Sequence, residues 1–134
     1  MTMQTILSRF LQALLLACLV TAPTMAADDE EAVIEVTVVK VYGSTDEYLS
    51  KVGAILDVIR KHEPRAEPRV YQAAFSGTTY GQIHISTRYP SFAALAAANP
   101  KIVNDPDHHK AIEALAAVDR EIISHYMLRD KTPK

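Results

Sequence analysis

The sequence predicts a single α+β domain in which helices cover one face of an antiparallel four-stranded sheet. Three observations support this fold class. Strand-like segments rich in β-branched residues and amphipathic helical segments follow one another in the order β-α-β-β-α-β. A short polar turn joins the second and third strands, which is typical of a hairpin. No internal repeat or low-complexity segment divides the chain.

The first strand is predicted over residues 33–42, where apolar side chains occupy both faces. Ser44 and Glu47 follow with the spacing of a capping box. A helix is therefore predicted over about residues 46–62, and Pro64 marks its end.

The second and third strands are predicted over residues 69–75 and 81–88, around a turn at 76–80. The next helix is expected to begin after Pro90-Ser91, to run through residue 98 and to stop at Asn99-Pro100, because proline lacks a backbone N–H.

Asp105 and Pro106 predict that a helix begins again, with Asp105 as its N-cap and Pro106 in its first turn. Residues 122–128 form a last strand or a helix-to-strand junction, and residues 131–134 form a polar tail. This order of elements is that of a ferredoxin-like unit, whose usual strand order is four-one-three-two.

Export is predicted from the first 26 residues. Arg9 precedes an apolar run over residues 10–20, and Thr24 and Ala26 occupy the small-residue positions of a cleavage site, so cleavage is expected after Ala26. The run is shorter than the roughly 20 apolar residues of a membrane span. An uncleaved anchor is the alternative. The domain at residues 33–130, preceded by a linker at 27–32, is then expected in the periplasm or outside the cell, away from the membrane.

Cys18 is the only cysteine, and it lies inside the predicted signal peptide. Residues 15–18 resemble a lipoprotein cleavage site, which is a second alternative, but the residues that follow stay apolar where a lipoprotein turns polar. The mature domain would then lack thiols, which excludes disulfides, thiolate metal sites and cysteine nucleophiles.

The charge of the mature chain argues against a nucleic-acid partner. Cleavage would leave 108 of the 134 residues and remove Arg9 alone among the charged residues, so the net charge would change from −2 to −3. Lysines and arginines are scattered singly, whereas nucleic-acid binding requires clusters of them. The sequence has no phosphate loop, dinucleotide fingerprint or Ser-His-Asp signature, and we predict no cofactor.

Two short motifs carry a resemblance to a known superfamily. Residues 88–92, Arg-Tyr-Pro-Ser-Phe, lead into an alanine-rich helix, and residues 104–108, Asn-Asp-Pro-Asp-His, precede the final helix. Together with the long hairpin strands they resemble the dimeric α/β-barrel superfamily, which includes antibiotic-biosynthesis monooxygenases and NIPSNAP-like domains. The resemblance spans residue 33 to about 129. It implies two protomers whose sheets form a barrel around a ligand pocket, and oxidation or rearrangement of that ligand without a metal.

The first strand predicts a homodimer independently of this resemblance. Its two faces carry, respectively, Ile34, Val36 and Val38, and Val33, Val39 and Val41. Helices cover only one face of such a sheet, and large exposed apolar patches are rare on monomers. A second copy is therefore expected on the other face.

Histidines on two strands are the candidate catalytic residues. In the third strand, Ile83 and Ile85 alternate with a polar set, which is Gln82, His84, Ser86 and Arg88. If the isoleucines face the helices, His84 faces the barrel interior, where it can act as a general base. A hydrogen-bonded histidine at a dimer interface or strand edge is the alternative.

His125, in the last strand, is the second candidate. Strand one would separate it from His84 by roughly 10 Å of backbone, which is too far for a shared zinc ion but compatible with one organic ligand. The resemblance implies that His84 is the acid–base group, that Arg88 and Gln82 orient oxygen atoms, and that His125 assists.

Asp105, Asp107, His108 and His109 form the densest group of metal-ligand side chains. Helix-start chemistry already explains Asp105 and Pro106, so we predict no metal. Tyr71, Phe75 and Tyr80 add aromatic surface. Core packing is the favoured role of Tyr71 and Phe75, and ligand stacking is the alternative.

These observations support two hypotheses about function. The first is an exported, homodimeric protein that binds a small, partly apolar molecule and acts on it as a cofactor-independent monooxygenase does. The second is a non-catalytic binding or interaction module. The environment of His84 is expected to distinguish them.

Overall fold

The structure is a computed structural model that describes residues 31–75 and 77–133. The predicted signal peptide, its cleavage site, Cys18 and most of the linker lie outside the described residues. The elements in chain order are β1 (Val33–Val41), α1 (Thr45–His62), β2 (Glu67–Gln72), β3 (Ile83–Tyr89), α2 (Phe92–Val103), α3 (Pro106–Ala116) and β4 (Arg120–Arg129).

The four strands form one antiparallel sheet in the order β2-β3-β1-β4, which confirms the predicted four-one-three-two order. The helices cover one face, so the predicted ferredoxin-like α+β fold is confirmed. We call the covered side the helix face and the opposite side the outer face. Ile83 points into the core on the helix face and is fully buried, as the alternation in this strand predicted.

Helix α1 begins at the predicted N-cap, but only the Ser44 half of the predicted capping box forms, because the Glu47 carboxylate pairs with Lys51 instead. Ser44 is the N-cap, and its hydroxyl accepts a hydrogen bond from the backbone N–H of Glu47 at 3.2 Å. The buried side of α1 packs on the helix face. Its buried residues are Tyr48, Val52, Leu56, Val58 and Ile59.

The prediction that Pro100 stops the second helix is wrong. Helix α2 continues through Pro100 to Val103. An interior proline costs about 3 kcal/mol, but Ile102 is buried in line with Ala98, and burying such a side chain recovers about 1.5–3 kcal/mol. The carbonyl left without a donor belongs to Ala96, which is exposed and therefore accessible to water.

Helix α3 begins as predicted. Asp105 is its N-cap and accepts a hydrogen bond from the backbone N–H of Asp107 at 2.8 Å, with Pro106 in the first turn. The last element is a strand rather than a helix-to-strand junction, and β4 is longer than predicted, with ten residues. It forms an edge of the sheet, and its pairing with β1 contains an irregularity at Val38/Val39.

The hairpin of β2 and β3 is confirmed with a longer connection. Both strands stop short of the predicted turn, and residues 73–82 link them through a 3-10 turn at Gly77–Thr79. Gly81 has a φ of 79°, a left-handed conformation that favours glycine. Phe75 is therefore not in a strand, and its side chain is fully exposed.

The outer face is apolar at its centre and mixed at its margins. Val36 and Val38 are buried there even in the single chain, with His84 beside them in β3. Tyr71, Tyr126 and Leu128 are 40–52% exposed on the same face. Charged side chains such as Arg69 and Lys40 surround this apolar area.

Candidate functional site

A cavity of about 360 Å³ lies between the helix face of the sheet and the three helices. Its walls are mainly aliphatic, with polar groups from the strands and helices at several points. The residues that line it include Glu35, Thr37, Tyr48, Ile55, Ile59, Tyr89, Asn99, Ile102, His108, Ile112, Leu115, Arg120 and His125. This mixture of aliphatic surface with few polar groups is typical of small-molecule sites.

A chain of contacts between Glu35, His125 and Thr37 forms one wall of the cavity. Thr37 and His125 are paired across β1 and β4, which brings the Thr37 Oγ1 to 2.9 Å from Nδ1 of His125. The other ring nitrogen, Nε2, lies 3.3 Å from Oε1 of Glu35. The Nε2 contact with the carboxylate is at ion-pair distance, whereas Nδ1 and the Thr37 hydroxyl are hydrogen-bonded. This chain can hold and transfer a proton.

The His125 side chain is 58% exposed, whereas that of Glu35 is 31% exposed. His125 lies on the edge strand β4 and Glu35 on the neighbouring strand β1, so the cavity reaches solvent near the proton-transferring groups. A substrate and water therefore have access to this wall within a single chain.

Two buried tyrosines supply phenol groups to the same cavity. Burial raises the pKa of Tyr89, and the nearby carboxylates of Glu35 and Glu63 raise it further. Burial also raises the pKa of Tyr48, although the positive charge of Arg120 partly opposes this rise. Both phenols are therefore neutral near pH 7 and available as hydrogen-bond partners for a bound molecule.

His108 adds an imidazole from the first turn of α3. Burial, followed by the nearby His109, lowers the pKa of His108 below its usual range, and Asp105 only partly opposes this. The ring is therefore neutral near pH 7. Asn99 contributes an amide from α2.

The predicted site residues on β2 and β3 lie elsewhere. His84 projects from the outer face, where it pairs with Val38 of β1 and Tyr71 of β2. Because His125 pairs with Thr37, on the helix face, the two histidines do not flank one ligand within a chain. Arg88 lies beside Glu67 at 3.7 Å and Asp130 at 3.4 Å rather than at the cavity.

The remaining predicted ligand-binding residues do not line the cavity either. Gln82 lies at the end of the hairpin connection, where its backbone carbonyl accepts from Ala73. Tyr71 and Tyr80 are 52% and 72% exposed, and Phe75 is fully exposed. The core packing favoured for Tyr71 and Phe75 is therefore wrong. Their role in binding stays a prediction.

The acidic and histidine-rich start of α3 has structural partners of its own. Asp105 Oδ2 accepts hydrogen bonds from His62 at 2.7 Å and Lys61 at 2.8 Å. His109 Nε2 lies 2.7 Å from the Val103 carbonyl. Among the described residues, no group of three or more histidine, cysteine, aspartate or glutamate side chains is arranged to hold a metal.

Sequence reasoning missed Glu35, Thr37, Tyr89, His108 and Arg120 as cavity residues. Glu35 and Thr37 carried a usable signal, because they interrupt the otherwise apolar helix face of β1. A polar pair on a face that should pack in the core indicates either a cavity or a buried network.

Comparison with known proteins gives a fold but no close relative. No protein-family model matches the chain, and no curated protein is significantly similar to it in sequence. SnoaB from Streptomyces nogalater, a cofactor-independent oxygenase, superposes with a TM-score of 0.57 at 13% identity, covering 77% of this chain and 96% of SnoaB. A NIPSNAP family protein from Agrobacterium tumefaciens gives a TM-score of 0.59 at 15% identity, covering 76% of this chain and 88% of that one.

An antibiotic-biosynthesis-monooxygenase-like protein from Chloroflexus aurantiacus is also similar, with a TM-score of 0.50 at 12% identity. The superposition covers 77% of this chain and 96% of that protein. The chain has the ferredoxin-like fold of these monooxygenase-like and NIPSNAP proteins. The resemblance inferred from residues 88–92 and 104–108 is thereby confirmed at the level of fold. Fold alone does not transfer an activity.

Proposed function

We propose that this is an exported homodimeric protein that binds a small, partly apolar molecule in the cavity between its sheet and helices and removes a proton from it. The observation that carries the proposal is the convergence of the Glu35–His125–Thr37 chain and two neutral phenols on one largely aliphatic cavity. The cavity volume of about 360 Å³ lies within the range of small-molecule sites, which is about 300–1,000 Å³.

The chemistry supported by these groups is proton abstraction next to a carbonyl. The His125–Glu35 pair takes the proton, and the Tyr89 phenol can donate to the resulting enolate oxygen. In the monooxygenase version, molecular oxygen is the oxidant. A methylene group becomes a carbonyl, one oxygen atom enters the product and the other leaves as water. Similarity in fold to the oxygenase SnoaB supports this version by analogy only.

A binding or interaction module is the second candidate function. It is favoured by the apolar centre of the outer face, where Val36 and Val38 lie with the partly exposed Tyr126 and Leu128. In that case the outer face makes the dimer, and the cavity performs no chemistry.

Ligand recovery tests the cavity proposal. The protein is purified from the compartment of its native host and analysed by native mass spectrometry. A small molecule is expected with the wild type and with Ala54→Trp, an exposed position on α1. It should be missing from Ile55→Trp, because Ile55, the next residue, lines the cavity. Equal recovery from both variants, or none from the wild type together with unchanged melting across a metabolite panel, would rule out the cavity as the binding site.

Oxygen uptake then separates the two candidate functions. With the recovered molecule as substrate, oxygen consumption by the wild type supports the monooxygenase version. Binding with neither oxygen consumption nor exchange of a substrate C–H proton for deuterium supports the non-catalytic module instead.

A further inference from the structure

Arg120 brings a positive charge to the cavity lining at the start of β4. It pairs with Val41 of β1, on the same face as Thr37 and His125. Its positive charge lies close enough to the phenol of Tyr48, whose side chain is only 2% exposed, to oppose the rise that burial causes in the pKa of that phenol. Arg120 and Tyr48 therefore lie together in the cavity wall near the beginning of α1.

Arg120 differs from four of the other described arginines in its lack of an acidic partner within ion-pair distance. Arg60, Arg65, Arg69 and Arg88 each form an ion pair with a carboxylate, whereas within the described residues no carboxylate is ion-paired with Arg120. The adjacent Glu121 instead accepts a hydrogen bond of 2.6 Å from the Tyr42 hydroxyl. A guanidinium has five N–H donors, of which Tyr48 can use only some, so donors remain for a ligand.

The charges along the cavity are arranged asymmetrically. Val41 lies four residues beyond Thr37 on β1, which places the backbones of Arg120 and His125 about 13 Å apart at a rise of 3.3 Å per residue. Glu35 carries negative charge at the His125 end, and aliphatic side chains such as Ile55, Ile59 and Leu115 contribute to the lining. An elongated apolar molecule with one anionic end is therefore favoured in one orientation, with its anion beside Arg120 and away from Glu35.

We infer that the cavity selects an amphipathic carboxylate, whose carboxyl group is bound by Arg120 and Tyr48 and whose apolar body extends toward His125. This inference rests on the proposed binding function and adds the class of ligand and its direction. Guanidinium and carboxylate match in geometry and can form two parallel hydrogen bonds. Arg120 is thus a specificity-determining residue, and His125 meets the end of the ligand that reacts.

Octanoate and octanol are matched probes of this selectivity, because they share an alkyl chain and differ in charge. Binding to the full chain is measured by calorimetry near pH 7. The wild type should bind octanoate about tenfold more tightly than octanol, as expected for a charge-assisted pair. Arg120→Gln should remove this preference by weakening octanoate binding about tenfold. Arg129→Gln, which removes a charge from the other end of β4 outside the cavity lining, should retain it.

The wild-type protein gives a second readout that needs no variant. The NMR signal of the Arg120 side-chain Nε–H should shift on addition of octanoate and stay unchanged with octanol. This measurement decides the matter if Arg120→Gln fails to fold by circular dichroism.

The outcomes distinguish this inference from the proposed function. Equal affinity for the two probes, or a preference that survives in folded Arg120→Gln, overturns the carboxylate selectivity and leaves small-molecule binding intact. No binding of either probe by the wild type counts against both. An Nε–H signal that responds identically to both probes also overturns the role of Arg120.

Discussion

His84 and His125 lie on opposite faces of the sheet although their partners on β1 are adjacent residues. His84 is opposite Val38 in β3, and His125 is opposite Thr37 in β4. Because side chains alternate along a strand, this one-residue difference directs His84 to the outer face and His125 into the cavity. The two histidines therefore belong to two different surfaces.

Replacing each histidine separately tests this division. His125→Ala should lower turnover or proton exchange of a bound substrate by about 10²–10⁴-fold, the contribution of a positioned acid–base group. His84→Ala is the matched control, and any effect it has should appear in the oligomeric state instead. Enzyme kinetics with the molecule recovered from the native protein, together with light scattering, provides both measurements. Loss of activity in His84→Ala with His125→Ala unaffected would reverse the assignment.

Local signals in the sequence were sufficient for most of the fold. Ser44 and Asp105 each cap a helix through hydrogen bonds that involve only neighbouring residues, and such patterns can be recognised without tertiary information. Pro100 gave the wrong answer because its local cost is largely offset by burial of Ile102, which depends on the packed structure. Local sequence propensity carries no information about such tertiary packing.

The candidate site was harder to predict because it depends on pairing across strands. Glu35 and His125 are 90 positions apart and meet only through the register of β1 with β4. The irregularity at Val38/Val39 shifts that register, and a bulge of this kind is not visible in the sequence. His108 was interpreted as a helix-start residue, which is correct, but the same position also faces the cavity.

Asp105 should stabilise the protein in a pH-dependent way. Hydrogen bonds from Lys61 and then His62 lower the pKa of Asp105 far below its ordinary value of 3.8. The unfolded chain therefore binds the proton first, so the stabilisation is present above about pH 4 and is lost as the pH falls toward the folded pKa. Asp105→Asn keeps a residue that caps helices well but removes the charge.

Thermal unfolding at several pH values measures this effect. Asp105→Asn should melt several degrees below the wild type near pH 7, and the difference should shrink between about pH 4 and pH 2. Asp107→Asn is the control, because the Asp107 side chain is 62% exposed and its ion pairs are longer. A difference that is constant across this pH range would show that the charge of Asp105 is not responsible.

His108 should titrate below the ordinary histidine pKa of 6.5, because burial disfavours its charged form. The effect of this pKa shift on stability has the opposite sign to that of a salt-bridged histidine, whose pKa is raised by folding. The unfolded chain binds the proton more readily, so stability falls as the pH drops below about 6.5 toward the folded pKa. NMR titration of the His108 ring signal provides the measurement, and a midpoint at or above 6.5 would contradict the placement of this ring against the cavity.

Export predicts a specific processed form. The protein isolated from the native host should begin at Ala27, because Thr24 and Ala26 are the small residues that precede the cleavage site. Intact-mass measurement and N-terminal sequencing identify this form. Ala26→Tyr places a bulky residue at the cleavage position and should leave the precursor unprocessed. A mature chain that begins at Cys18 and carries lipid would favour the lipoprotein alternative.

A substitution at Leu128 tests dimerisation through the outer face without disturbing the fold of the single chain. This side chain is 47% exposed on the outer face, in the edge strand β4, so a charge there does not disturb the single chain but would be buried against a second copy. An unpaired buried charge is costly. Light scattering at micromolar concentration should therefore give twice the chain mass for the wild type and a single chain mass for Leu128→Lys.

Leu49→Lys, on the exposed side of α1, should remain dimeric because the helices lie away from that face. A monomeric wild type would contradict the predicted homodimer. The cavity would remain a site within one chain, because it lies on the other side of the sheet.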